Sequence, residues 1–197
     1  MNARDQLLEL LRVHSFRRKH VILASGRESD FFIDCKQTIL QAQAHALVGV
    51  VMLPMAFDFA PHAVAGVELG GCPLASAVAY ASALAGTPLD AIYVRKEVKD
   101  HGSRRDLEGN AHLAPGTKVV LLEDVITTGG STLKAIDKLR AAGYEVPAVL
   151  CLVDREEGGR EAILAGAKVE VRAVFGRLDF MGCGTVAAEV PGGSPLR

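Results

Sequence analysis

The chain has 197 residues, 49% hydrophobic and 23% charged, with 22 Lys and Arg against 23 Asp and Glu, a formal net charge of -1. That make-up suits one globular domain, and the near-neutral balance excludes the basic field by which proteins hold nucleic acid through counterion release. Asp5, Glu9 and Arg12 interrupt the leucines of the N-terminus and no later apolar run approaches the ~18 residues of a membrane span, so neither secretion nor a membrane is expected and the expected location is the cytoplasm.

In chain order, Leu7, Leu8, Leu10 and Leu11 predict an amphipathic helix over residues 3–14. A charged, hairpin-like segment, VILASGRESDFFID, follows, and then a long apolar helix from Ala42 to Phe57. Ala63–Val67 reads as a short strand running into the glycine-rich turn GVELGG, after which Pro73 opens a helix that Gly86 ends. Further strands are expected at Asp90–Val94, 117–122, 147–153 and 168–174, with helices from Gly130 to Ala142 and over 158–165. Such alternation predicts an α/β fold, a central mostly parallel sheet flanked by helices. Cys35, Cys72, Cys151 and Cys183 form no C-x-x-C pair and read as free thiols.

Two stretches break the pattern. Residues 95–115, RKEVKDHGSRRDLEGNAHLAP, hold almost no apolar side chain and read as a surface loop, and loops this long in compact domains are usually functional. In LLEDVITTGGSTL an apolar strand meets Glu123 and Asp124, then Thr127, Thr128, Gly129, Gly130 and Ser131 just before a helix. Unpaired backbone N–H groups, a positive helix end and added hydroxyls suit that turn to a phosphate. The spacing is neither that of a nucleoside triphosphatase loop nor G-x-G-x-x-G. An acid pair directly before a phosphate cradle suits a ligand with hydroxyls near its phosphate, as in ribose 5-phosphate; an ordinary glycine-capped strand end is the bland alternative.

This stretch resembles the signature of the type I phosphoribosyltransferases. RKEVKDHG at 95–102, SGRESDFFID at 25–34 and VDREEGG at 153–159 are similar to the catalytic loop, the N-terminal lid segment and the acceptor-side arginine of the orotate phosphoribosyltransferase family. The resemblance implies one domain over 1–197, with an N-terminal helix and small hood segment (1–40), an α/β core (41–178) and a tail (179–197). It implies a donor site for phosphoribosyl diphosphate made of Arg95, Lys96, Lys99, His101, Glu123, Asp124, Val125, Ile126, Thr127, Thr128, Gly129, Gly130 and Ser131, the acids on the ribose hydroxyls and the turn on the 5-phosphate. Arg95, Lys99, His101 and Asp124 are the expected catalytic residues, and Thr127, Arg155, Phe31 and Phe32 the orotate side. It also implies Mg²⁺ carried mainly by the donor and water, with no direct protein ligand, and a homodimer in which the 95–110 loop reaches the neighbouring subunit's site.

The chemistry asks for the same residue types. Displacing diphosphate from an anomeric carbon builds negative charge on the leaving group, which Arg95, Lys96, Lys99 and His101 can meet. A guanidinium at Arg155, just past the strand VLCLV, can pair a carboxylate in two parallel hydrogen bonds; orotate has one and uracil does not. A purine-base enzyme would not need Arg155, and a non-catalytic regulator that senses the donor and binds nucleic acid would need a basic surface or domain. Some family members carry lysines where this chain has Ala24 and Gly70, so diphosphate contacts from those positions are not expected here, and backbone N–H groups of Gly70 and Gly71 are the candidate replacement.

Overall fold

Residues 1–22, 28–96 and 106–182 are described in the computed structural model, residues 19–22 and 28–29 by backbone alone. Helix α1 (Ala3–His14) leads into an antiparallel hairpin of β1 (Phe16–Ile22) and β2 (Glu28–Ile33), and a short α2 (Lys36–Ile39) carries the chain to α3 (Ala42–Phe57). There follow β3 (Ala63–Val67), α4 (Gly71–Leu84), β4 (Asp90–Val94), β5 (Leu107–Glu108), β6 (Val119–Ile126), α5 (Gly130–Ala141), β7 (Ala148–Asp154), α6 (Gly159–Ala167), β8 (Glu170–Gly176) and α7 (Arg177–Met181). The sheet order is β5-β4-β3-β6-β7-β8, all parallel except the β4–β5 pair.

Strands β3 and β7 are buried at every position, as expected of central parallel strands covered on both faces, and this is why they read as unbroken apolar runs. Alternate residues serve opposite layers. Val120, Leu122, Leu150 and Leu152 pack with Leu7, Leu11, Val48, Met52 and Leu74 of α1, α3 and α4. Leu121, Val149 and Cys151 pack with Ile136, Leu139 and Ile163 of α5 and α6. Among the described residues no helix is long and apolar enough to cross a membrane.

The structure departs from the sequence reading at four places. Strand β6 runs to Ile126, beyond the expected stop at 122, so the acid pair lies inside a strand. The hairpin begins at Phe16, five residues early, because Phe16 pairs Ile33 across it. Residues 107–108 of the supposed loop form β5 on the edge of β4, where Leu107 is buried. A five-residue helix, α7, crosses the 178 boundary, and Phe180 is buried against Phe31 and Phe16.

Candidate active site

The site lies along the carboxyl ends of β3, β4, β6 and β7, where an open α/β sheet presents its loops. Because side chains alternate along β6, Glu123 and Asp124 leave the strand on opposite faces. Glu123 is 4% exposed and accepts hydrogen bonds from Thr132 Oγ1 at 2.9 Å and Ser131 Oγ at 3.5 Å, which ties it to the first turn of α5. Burial, and the charge of Asp124 next to it, push its carboxyl up to about 7. Asp124 faces the other layer. Its carboxylate lies so close over Gly70 that a Cβ there would stand 2.0 Å from Oδ2, and its backbone oxygen meets Cys35 Sγ at 3.8 Å. Burial raises the Asp124 carboxyl, while the charges of Lys36 and Lys96 pull it down.

Residues 127–129 link β6 to α5, with Gly129 as the N-cap at φ 80°, a left-handed conformation that favours glycine. A second reason for glycine lies across the turn. A Cβ on Gly129 would stand 2.8 Å from Gly159 O, and one on Gly159 would stand 2.6 Å from Thr127 O. The two glycine turns at the starts of α5 and α6 therefore touch backbone to backbone. Arg155 N also donates to Ile126 O at 3.0 Å. The turn that can take a phosphate and the turn that carries Arg155 form one packed unit.

Arg155 is 8% exposed. Its Nη2 donates to Phe31 O at 2.8 Å and pairs with Glu157 Oε1 at 2.8 Å, and its guanidinium lies 5.8 Å from the centre of the Phe31 ring. Phe31 is fully buried, in contact with Phe16 at 5.0 Å and Phe180 at 5.5 Å between ring centres, whereas Phe32 is 41% exposed on the other side of β2. Strand alternation thus splits the aromatic pair. Phe31 supports Arg155 from below, and only Phe32 is presented to solvent.

At the end of β4, Arg95 N donates to Asp106 O at 2.9 Å, Arg95 Nη1 pairs with Glu108 Oε1 at 2.8 Å, and Lys96 N donates to Glu68 Oε2 at 3.0 Å. Lys99, His101 and Ala24 lie outside the described residues. Arg95, Lys96, Ser131, Lys134 and Lys138 line a cavity of about 340 Å³ closed by Val67, Val94 and Ala135. Of the expected residues, Arg95, Lys96, Glu123, Asp124, Arg155 and the run 125–131 are thus brought to one end of the sheet.

Three neighbours were not singled out from sequence. Lys36 stands at the start of α2, paired with Asp34 at 2.6 Å and close enough to Asp124 to stabilise its charge; the signal was its place two residues after the SGRESDFFID block. Glu157 lies within VDREEGG, two residues after Arg155, where an acid in a charged run reads as solvated. Lys138 carried no signal, since a lysine in a helix's last turn is usually solvated.

The likeness to known proteins is specific. The phosphoribosyl transferase domain family matches residues 34–169. The orotate phosphoribosyltransferase of Sorangium cellulosum (strain So ce56) is 63% identical over 182 residues, covering 91% of this chain and 94% of that one. The crystal structure of Mycobacterium tuberculosis H37Rv orotate phosphoribosyltransferase in complex with Fe(III) dicitrate superposes with a TM-score of 0.77 at 38% identity, covering 91% of this chain and 99% of that one. That enzyme's complex with 5-phospho-alpha-D-ribosyl 1-diphosphate gives 0.75 at 36% identity, covering 91% and 99%. A sheet end that joins an acid pair, a phosphate turn and a buried arginine in the family's order, in a chain this close to such relatives, leaves one conclusion: the chain belongs to the orotate phosphoribosyltransferase family.

Proposed function

We propose that the chain transfers the 5-phosphoribosyl group of phosphoribosyl diphosphate to orotate, giving orotidine 5′-phosphate and diphosphate in pyrimidine nucleotide synthesis. The bond from the anomeric carbon to the diphosphate oxygen breaks, the bond from that carbon to a ring nitrogen of orotate forms, and the nitrogen's proton is released. The observation that carries the acceptor assignment is Arg155, a buried guanidinium just past β7 whose backbone N–H bonds Ile126 O, the strand residue immediately before the phosphate turn. Such a group favours an acceptor with a carboxylate. A purine offers it no carboxylate.

The turn 127–131 takes the 5-phosphate at the N-terminus of α5. Glu123, wired to Ser131 and Thr132, and Asp124, over Gly70, hold the ribose hydroxyls from the two faces of β6. Arg95, Lys96, Lys99 and His101 meet the charge that develops on the diphosphate. Mg²⁺, carried mainly by donor oxygens and water, would there neutralise leaving-group charge. Exposed Tyr80 and Leu84 on α4 and Tyr93 on β4 support an apolar contact between two copies of the chain, across which the loop after Arg95 reaches the neighbouring site. The test is an assay with phosphoribosyl diphosphate, Mg²⁺ and orotate, uracil, adenine or hypoxanthine in turn. Orotate should give nucleotide at a rate at least ~10²-fold above the others; a better rate with any other base overturns the acceptor assignment.

A further inference from the structure

Among the described residues, Lys138 is a heavily engaged lysine with no role given so far. It sits in the last turn of α5, yet its ammonium does not turn to the carbonyls of its own helix. Nζ donates to Arg95 O at 2.7 Å, approaches Lys96 O at 3.4 Å and pairs with Asp106 Oδ1 at 2.8 Å, and the side chain is 22% exposed. An ammonium has three donors. Hydrogen bonds from it go to residues 95–96 leaving β4, and its charge faces Asp106, which enters β5.

Those segments already form a narrow ladder, with Tyr93 opposite Glu108, Val94 opposite Leu107, and Arg95 N bonded to Asp106 O. Lys138 closes the ladder from the side. It takes the carbonyls of 95 and 96, the two residues just past the last strand residue of β4, and cancels the charge of Asp106. Lysine ammonium is strongly hydrated, so drawing it from water onto backbone carbonyls requires partners as good as those found here.

We infer that Lys138 is a positioning residue for the donor, which locks the backbone of Arg95 and Lys96 to the helix whose other end carries the phosphate turn. Eight residues of helix, about 12 Å, separate Gly130 from Lys138, so one rigid rod sets the spacing between the phosphate turn and the cations that face the leaving group. The inference rests on the donor roles proposed above for Arg95, Lys96 and the 127–131 turn. It does not depend on which base is the acceptor.

The experiment is calorimetric titration of phosphoribosyl diphosphate with Mg²⁺, and separately of orotate, into the wild-type chain, Lys138→Met, Lys138→Gln and Lys138→Arg, with melting temperature and steady-state KM measured in parallel. Methionine should weaken donor binding by about 10- to 100-fold, the range for losing charge-assisted hydrogen bonds, and raise the reverse-reaction KM for diphosphate to match. Orotate binding should stay within about twofold. Arginine, which keeps the charge and the reach, should recover most of the loss, and glutamine less. Should methionine fail to fold, the arginine and glutamine variants carry the same comparison. Unchanged donor binding, or equal weakening of donor and orotate together with a fall in melting temperature, would overturn the inference in favour of a plain structural staple. A wild-type chain that binds donor but ignores orotate would count against the acceptor assignment alone.

Discussion

Arg155 and Glu157 form a buried ion pair, Nη2 to Oε1 at 2.8 Å, with each side chain 10% exposed. Breaking such a pair from one side strands the other charge, which costs about 3–5 kcal/mol, whereas removing both partners costs far less. Arg155→Ala should therefore lose orotate turnover by roughly 10² to 10⁴-fold and also lower the melting temperature. Arg155→Ala with Glu157→Ala should regain stability without regaining turnover. Thermal melts beside initial rates read both, and recovery of activity in the double variant would remove Arg155 from the acceptor site.

Gly70 is where the donor site is tightest. A Cβ there would meet the Asp124 carboxylate at 2.0 Å, so Gly70→Ala must displace the acid. Overpacking of this kind costs about 1–3 kcal/mol. We expect donor affinity to fall by roughly 10-fold or more while orotate affinity holds, and Asp124→Asn should show the same selectivity. Equal weakening of both ligands, measured by titration, would mean that the acid pair is only structural.

Glu123 makes stability depend on pH with an unusual sign. Its carboxyl rises from 4.5 to about 7 on folding, so between those values the native state binds more protons than the unfolded one. Stability from this group is complete below about 4.5 and declines as pH rises towards 7. Glu123→Gln, which stays neutral, should gain on the wild type across that window and hold a constant advantage above it. Melting curves of both proteins from pH 4.5 to 8 decide; a difference that is flat over the window would sink the assignment.

The proposed shared site can be read by mixing. Lys99→Ala should cost on the order of 10² to 10⁴ in rate with little change in melting temperature. Co-refolded with inactive Arg155→Ala, it should restore activity, because a hybrid with exchanged loops contains one site with both wild-type residues. Hybrids shown to be present but inactive would put each loop at home.

The parts of the fold that could be read from sequence are those whose burial leaves a pattern. Five consecutive buried residues in β3 and seven in β7 look like nothing else, and Gly129 betrays a turn. Leu107 alone in a polar stretch could not announce β5, and α7 is too short for a helical period. In the site, the residue types were legible and the partners were not. That Glu123 is wired to Thr132 while Asp124 rests on Gly70 follows from strand alternation once β6 is known to reach Ile126. No spacing in the sequence joins Lys138 to Arg95, 43 positions away; that contact exists only because β4 and α5 lie side by side.

The hydrogen bond from Arg155 to Phe31 O has a further consequence. It stitches the N-terminal hairpin, which among the described residues shares no strand pairing with the main sheet, to the end of a central strand, reinforced by the Arg177–Asp30 pair and the ring of Phe180. The proposed acceptor pocket is therefore built across a seam, and the proposed donor turn is built within one continuous sheet and its helix. Peripheral units of this kind detach at lower free energy than the whole molecule unfolds. If the proposed sites hold, mild denaturant or heat should leave a chain that still grips a sugar phosphate but has lost its discrimination among bases, with selectivity failing before binding does.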